Sequence, residues 1–262
     1  MSGEPLSDPI QQPTGQTGQQ AHQRRALVVR GGWDGHQPVE ATELFLPFLE
    51  ESGFHVRVEE SPDVYADAAY MEGLDLVVQS VTMSEISPEA LKGLLAAVAA
   101  GTGFGGWHGG IADSYRNSSD YLQLVGGQFA THAALHPPAE RKGEMDDNYV
   151  PHRVEITEAG RQHPVTAGLD DFDLVTEQYW ILSDDLNDVL ATTTTKTREW
   201  EPWHRPVTCP AVWTRAWGQG RVFVATPGHQ VDVLQDPNVR TVVERGLLWA
   251  ARALDETTGA AL

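Results

Sequence analysis

The chain has 262 residues, and its 37 acidic against 18 basic side chains leave a formal net charge of −19. That surplus is spread along the chain and opposes broad attachment to phosphate backbones or anionic membranes, so neither nucleic acid nor a membrane surface is an expected partner. One cysteine, Cys209, excludes an intramolecular disulfide and a thiolate-rich metal site, while the length suits a single α/β domain with insertions.

Residues 1–24, rich in Gln, Pro, Gly and Ser, contain no apolar stretch able to pack or to enter a bilayer. They read as a disordered leader, and with no secretory apolar core after them a cytoplasmic location is expected. ALVVR at 26–30 reads as a buried strand; after the turn GGWDGHQ, the spacing of Val39, Phe45, Leu46, Phe48 and Leu49 predicts a helix over 38–52. Strands follow at 54–60 and 74–81, and Ser87-Pro88-Glu89 opens a helix to Ala100. Alternation of short β-branched runs with helical segments predicts a parallel sheet with crossover helices on both faces.

A fourth strand, TGFGGW at 102–107, ends at His108, and an irregular helix is expected over 113–125. Further strands are expected at 128–132, 152–156, 189–193, 210–217 and 220–226, with a closing helix over 240–254 and a surface loop covering the site between His132 and Tyr149.

In open parallel sheets the ligand crevice lies beyond the carboxyl ends of the strands. His36, His108, His132 and His229 each follow or end a strand, so four distant histidines are candidates for one edge. His108 lies in Gly105-Gly106-Trp107-His108-Gly109-Gly110, where small neighbours permit a tight strand-to-helix turn resembling a nucleophile elbow. An imidazole there can move protons, coordinate a metal or bond a substrate oxygen; the glycines also suit packing alone. Glu177 stands among apolar and aromatic residues, where a carboxylate is costly unless paired, and reads as acid, base or ligand. Trp33, Trp107, Trp180 and Trp203 offer flat faces for a sugar, with core packing as the competing reading. GGWDG after the first strand lacks the G-x-G-x-x-G spacing of a dinucleotide site, and there is no Walker loop, H-E-x-x-H or G-x-S-x-G, so no nucleotide cofactor is expected.

Taken together, GTGFGGWHGG (101–110), YLQLVGGQFATH (121–132), HPVTAGLDDF (163–172) with TEQY (176–179), PAVWTRAWGQGRVFVATPGH (210–229) and RGLLWAAR (245–252) resemble the ThuA-like trehalose-utilisation family of the class I glutamine amidotransferase-like superfamily. The resemblance implies a ThuA-like domain over 25–254 and a tail over 255–262. Its implied fold is three-layered and flavodoxin-like, with a mainly parallel central sheet. It also implies that the glutaminase nucleophile's elbow is occupied here by His108, with Cys209 too far along the chain to substitute, so glutamine hydrolysis through a thioester is not expected.

His229 falls near the superfamily's catalytic histidine. The implied activity is acid/base chemistry on a keto-sugar or keto-glycoside, by isomerisation or elimination. His108, Glu177 and His229 would be catalytic, and His36, Trp33, Trp107, His132 and Tyr179 would contact substrate. A divalent metal, zinc or manganese, stays open with His108, His132, Glu177 and His229 as its candidates. A small-molecule sugar is the expected partner and a homo-oligomer stays open. The competing reading is a non-catalytic carbohydrate-binding or regulatory module, or a subunit of a partner enzyme.

Overall fold

The computed structural model describes residues 23–143 and 147–255. The expected leader up to residue 22, the tail from 256 and three residues of the expected loop, 144–146, lie outside the described residues.

Strands β1 (Arg24–Gly32), β2 (Phe54–Glu59), β3 (Leu76–Thr82), β4 (Gly103–Trp107), β5 (Gly127–His132), β6 (Tyr149–Ile156), β7 (Phe172–Glu177), β8 (Tyr179–Ser183), β9 (Asp188–Thr195), β10 (Val207–Trp217) and β11 (Gly220–Ala225) form two sheets. The larger runs β2-β1-β3-β4-β11-β10-β9-β6-β7, and β5 pairs with β8 in the smaller. β2, β1, β3, β4 and β11 are mutually parallel neighbours, whereas β10, β9, β6 and β7 extend that half with antiparallel pairings. The parallel half has flavodoxin-like order, in which strand order reverses between β1 and β3 and opens a crevice beyond their carboxyl ends.

Alternate residues of these strands enter opposite cores because successive side chains point to opposite faces. Ala26, Val28, Leu76, Val78, Phe223 and Ala225 pack with Leu49, Val243 and Leu247 on one side. Leu27, Val29, Val77, Val222 and Val224 pack with Leu94, Val98 and Leu124 on the other. Helices α1 (Pro38–Glu43), α2 (Leu46–Glu51), α3 (Ala68–Met71), α4 (Pro88–Ala100), α5 (Gly109–Ala112), α6 (Ser119–Val125), α7 (Glu158–Gln162), α8 (Val231–Leu234) and α9 (Pro237–Ala250) complete the layers. Each fully buried Leu or Val contributes about 1.5–3 kcal/mol, so the two cores fix the sheet that presents the strand ends.

Three expected helices are corrected. The segment 38–52 divides into α1 and α2 because Pro47, in the first turn of α2, has no N–H to return to Glu43. Val39, assigned to the buried stripe, is exposed. The helix expected over 113–125 is instead α5, starting directly after His108, and α6, restarted where the Ser118 hydroxyl accepts from Tyr121 N at 3.3 Å. The closing helix begins at Pro237, three residues before the expected start, because Asp236 caps it by accepting from Asn238 N and Val239 N. β7 and β8 are further elements that the sequence reading missed.

Candidate functional site

Four elements deliver side chains to one point above the carboxyl ends. His108 stands at the turn from β4 into α5 with φ 50° and ψ −141°, a left-handed conformation unusual outside glycine. Its N–H donates to Ala225 O at 2.7 Å, tying the turn to the end of β11. The adjoining residue must be glycine: a Cβ on Gly109 would strike the His36 ring. His36 thereby reaches into the turn from beyond β1, its Nδ1 lying 2.8 Å from the Thr82 hydroxyl at the end of β3. His229 follows β11. Glu177 arrives from β7, where the chain crosses from the large sheet to the small one through Gln178, whose amide donates to Thr193 Oγ1 at 2.7 Å.

The geometry is tight. Glu177 Oε2 lies 3.1 Å from His108 Nε2 and 3.2 Å from His229 Nδ1, and those two nitrogens are 3.3 Å apart. One ligand atom each from His36, His108, Glu177 and His229 can be chosen so that all lie within 4.8 Å of one another. All four residues are buried. The Nδ1–H of His108 donates to the Thr226 carbonyl at 2.7 Å, which fixes the ring. The His36 ring stands edge-on to those of His108 and His229, with centroids 4.7 Å and 5.1 Å apart.

Burial lowers the His36 imidazole to about 2, reinforced by His108 and His229. It lowers His108 too, against the opposing pull of Glu177 and the Thr226 carbonyl. Burial by itself raises the Glu177 carboxyl, yet the adjacent His108 and His229 outweigh it and hold the group below the usual carboxylate range. The centre at neutral pH therefore contains an ionised carboxylate beside the His36 and His108 imidazoles, whose charging burial opposes.

His132 stands at the rim. Its side chain is 28% exposed, and its Nε2 lies 3.7 Å from Glu177 Oε1 and 3.3 Å from Asn148 Nδ2. Trp33 is partly buried and sets its ring edge-on to His36 at 4.8 Å, also at the rim.

Two expected substrate contacts are corrected. Trp107 is buried in the core with its ring 4.9 Å from Phe45, because the last residue of β4 points inward. Tyr179 is buried as well and stacks on His108, centroids 4.1 Å apart, so it backs the imidazole. His36, expected to touch substrate, belongs to the buried centre itself. Trp180 and Trp203 pair with each other at 5.0 Å. Cys209 is buried on β10 and burial raises its thiol, the opposite of an activated nucleophile.

Thr82, Thr226, Asn148 and Tyr149 escaped the sequence reading. Thr82 ends β3, and Thr226 follows β11, so the strand-end rule that selected the histidines would have found both. Tyr149 sets its ring 5.5 Å from His229 and donates its hydroxyl to Gln230 Oε1 at 3.2 Å; both it and Asn148 follow a loop whose path carries no local signal. A groove of about 750 Å³ lies elsewhere, lined by His152, Arg153, Glu155, Lys196 and Arg198, and includes none of the four central groups.

No helix among the described residues is long and apolar enough to cross a membrane. No curated protein matches the chain. Among solved structures, the fold is similar to a ThuA-like protein from Bacteroides uniformis, 17% identical with TM-score 0.65 and 95% of each chain covered. It is also similar to a ThuA-like protein from Parabacteroides merdae, 16% identical with TM-score 0.66, covering 87% of this chain and 90% of that one. A Salmonella typhimurium protein described as cytoplasmic is 13% identical with TM-score 0.57, covering 86% and 99%. The family model ThuA, described as trehalose utilisation, matches residues 25–250. With nearly the whole described fold inside that match, the chain belongs to the ThuA trehalose-utilisation family.

Proposed function

We propose that the protein is a cytoplasmic enzyme of sugar metabolism that acts on a keto-sugar or keto-glycoside by acid/base chemistry, without a cysteine nucleophile. The observation that carries this reading is Glu177 bracketed by His108 and His229 at 3.1 and 3.2 Å, with His132 facing its other oxygen from the rim. Family membership in trehalose utilisation supports a sugar as the substrate.

A ketone acidifies the neighbouring C–H. Removing that proton leaves an enediolate, which is reprotonated at the adjacent carbon in isomerisation or expels a β-substituent in elimination. The work asked of the protein is one positioned base, one acid and stabilisation of the oxyanion. The four central groups are packed too closely to admit a sugar ring between them, so the substrate approaches from the side of His132 and Trp33. His132 is the group placed to exchange a proton with substrate there, while Glu177, His108 and His229 form the polar floor that accepts or returns it.

The test is incubation of purified, metal-replete protein with a 3-keto-glycoside, with products followed by NMR. Turnover that disappears in His108→Ala supports the proposal. If the sugar binds but is left unchanged, and His108→Ala binds it equally well, the enzyme reading fails in favour of a carbohydrate-binding module.

A further inference from the structure

We infer that His36, His108, Glu177 and His229 form a binding site for one divalent first-row transition-metal ion, with His132 outside the ligand set. The inference deepens the proposed function by naming an occupant of the same site. It rests on that reading only for what the ion does to a sugar, since the ligand geometry stands without it.

The distances are those of a coordination polyhedron. A tetrahedral ion with bonds of about 2.0–2.2 Å to nitrogen and oxygen separates its ligands by about 3.3–3.6 Å. His108 Nε2, His229 Nδ1 and Glu177 Oε2 form a triangle with sides of 3.1, 3.2 and 3.3 Å. That triangle has the size of one face of such a polyhedron, and His36 offers a fourth ligand atom within 4.8 Å of the other three, a gap that its ring would close on binding the ion.

The hydrogen bonds around the triangle agree. Because His108 gives its Nδ1–H to the Thr226 carbonyl, Nε2 carries a lone pair and faces a carboxylate oxygen. Two acceptors at that separation need a cation or a shared proton between them. His36 is likewise held at Nδ1 by Thr82, which leaves Nε2 for the ion. Outer partners of this kind orient metal-bound imidazoles and set their tautomer. The Tyr179 ring against His108 and the Trp33 ring against His36 supply dry walls.

The donor set identifies the class of ion. Three imidazoles and one carboxylate suit zinc, manganese, iron or their neighbours, whereas magnesium and calcium prefer oxygen ligands throughout. The sequence offered His132 as a ligand candidate; at 3.7 Å from Glu177 Oε1 and bonded to Asn148, it is placed to serve substrate rather than ion. A bound ion would polarise a ketone oxygen arriving from that side.

The experiment measures metal in the purified chain by elemental mass spectrometry, then titrates chelator-stripped protein with Zn²⁺, Mn²⁺ and Mg²⁺ by calorimetry. The expected result is about one transition-metal ion per chain, binding of Zn²⁺ or Mn²⁺ but not Mg²⁺, and weakening by more than about 100-fold in His36→Gln and Glu177→Gln. Thr82→Val should weaken it by about 10–100-fold. Because a variant can fail to fold, Co²⁺-loaded wild type provides a second readout, a visible spectrum of tetrahedral or five-coordinate nitrogen–oxygen ligation. Metal-free wild type that takes up no Zn²⁺, Mn²⁺ or Co²⁺, or folded variants that bind as tightly as wild type, overturns the inference. An ion bound without turnover of a keto-glycoside leaves the site standing and removes the proposed reaction; turnover by fully stripped protein leaves the reaction standing and removes the ion's part in it.

Discussion

Glu177 Oε2 and His108 Nε2 lie 3.1 Å apart although 69 residues separate them in the chain. The contact joins the far antiparallel edge of the large sheet to the turn after β4, inside its parallel half. It exists because the chain leaves β7 at Glu177 and enters β8 two residues later, crossing above the carboxyl ends with Gln178 as its pin.

Gly109→Ala tests whether His36 is built into the centre. The added methyl group falls on the imidazole, so the ring or the α5 turn must shift, at about 1–3 kcal/mol of overpacking. Urea unfolding should show a loss of that size, together with reduced turnover. Stability within about 0.5 kcal/mol of wild type, with full activity, would mean that His36 is not wedged against this turn.

Trp107 and Trp33 should separate cleanly. Trp107→Ala empties a core site beside Phe45 and is expected to cost about 3–5 kcal/mol. Trp33→Ala, at the rim, should cost below about 1 kcal/mol while raising KM for the sugar. The two are compared by thermal melting and steady-state kinetics, and the reverse pattern would place the core residue at the substrate.

Acid sensitivity follows from imidazoles that the fold keeps neutral, two of which lie outside the centre. Burial lowers His152 and His163 from 6.5. Below pH 6.5 the unfolded chain therefore binds protons that the native chain refuses, and stability rises with pH up to that value and is lost on acidification. His152→Gln should flatten the dependence of unfolding free energy between pH 5 and 6.5, by up to about 1.4 kcal/mol per pH unit for one fully linked proton. Unchanged slopes in metal-free wild type and variant would show that His152 charges as readily in the fold as in the unfolded chain.

In the parallel half β1, β3 and β11 were legible because they are largely buried on both faces and so read as compact apolar runs between turn residues, while the edge strand β2 showed itself by alternation. LVV in β1 and FVA in β11 carry that signal, and His108 and His229 could be placed from the strand ends alone. Glu177 was legible as a carboxylate in apolar company, but not as an end of β7, since that strand places apolar Val175 on its exposed face and polar Thr176 on its buried one, so its sequence does not alternate as its burial does. The break between α1 and α2 was written in Pro47, yet the apolar spacing around it overrode that signal. His36 looked like a substrate contact because the space that admits it is created by the absence of a side chain at Gly109, a relation across 73 positions. Trp107 shows the converse: an aromatic beside a functional turn is turned inward by the alternation of the strand that carries it.

The most direct test of the account follows the carbon next to the ketone. Wild-type protein incubated with a 3-keto-glycoside in D₂O should place deuterium there, read by NMR, and Glu177→Gln should slow that incorporation by about 10²–10⁴-fold while remaining folded. Wild-type protein that binds the sugar without exchanging that hydrogen, or a folded Glu177→Gln that exchanges it at the wild-type rate, would contradict the account.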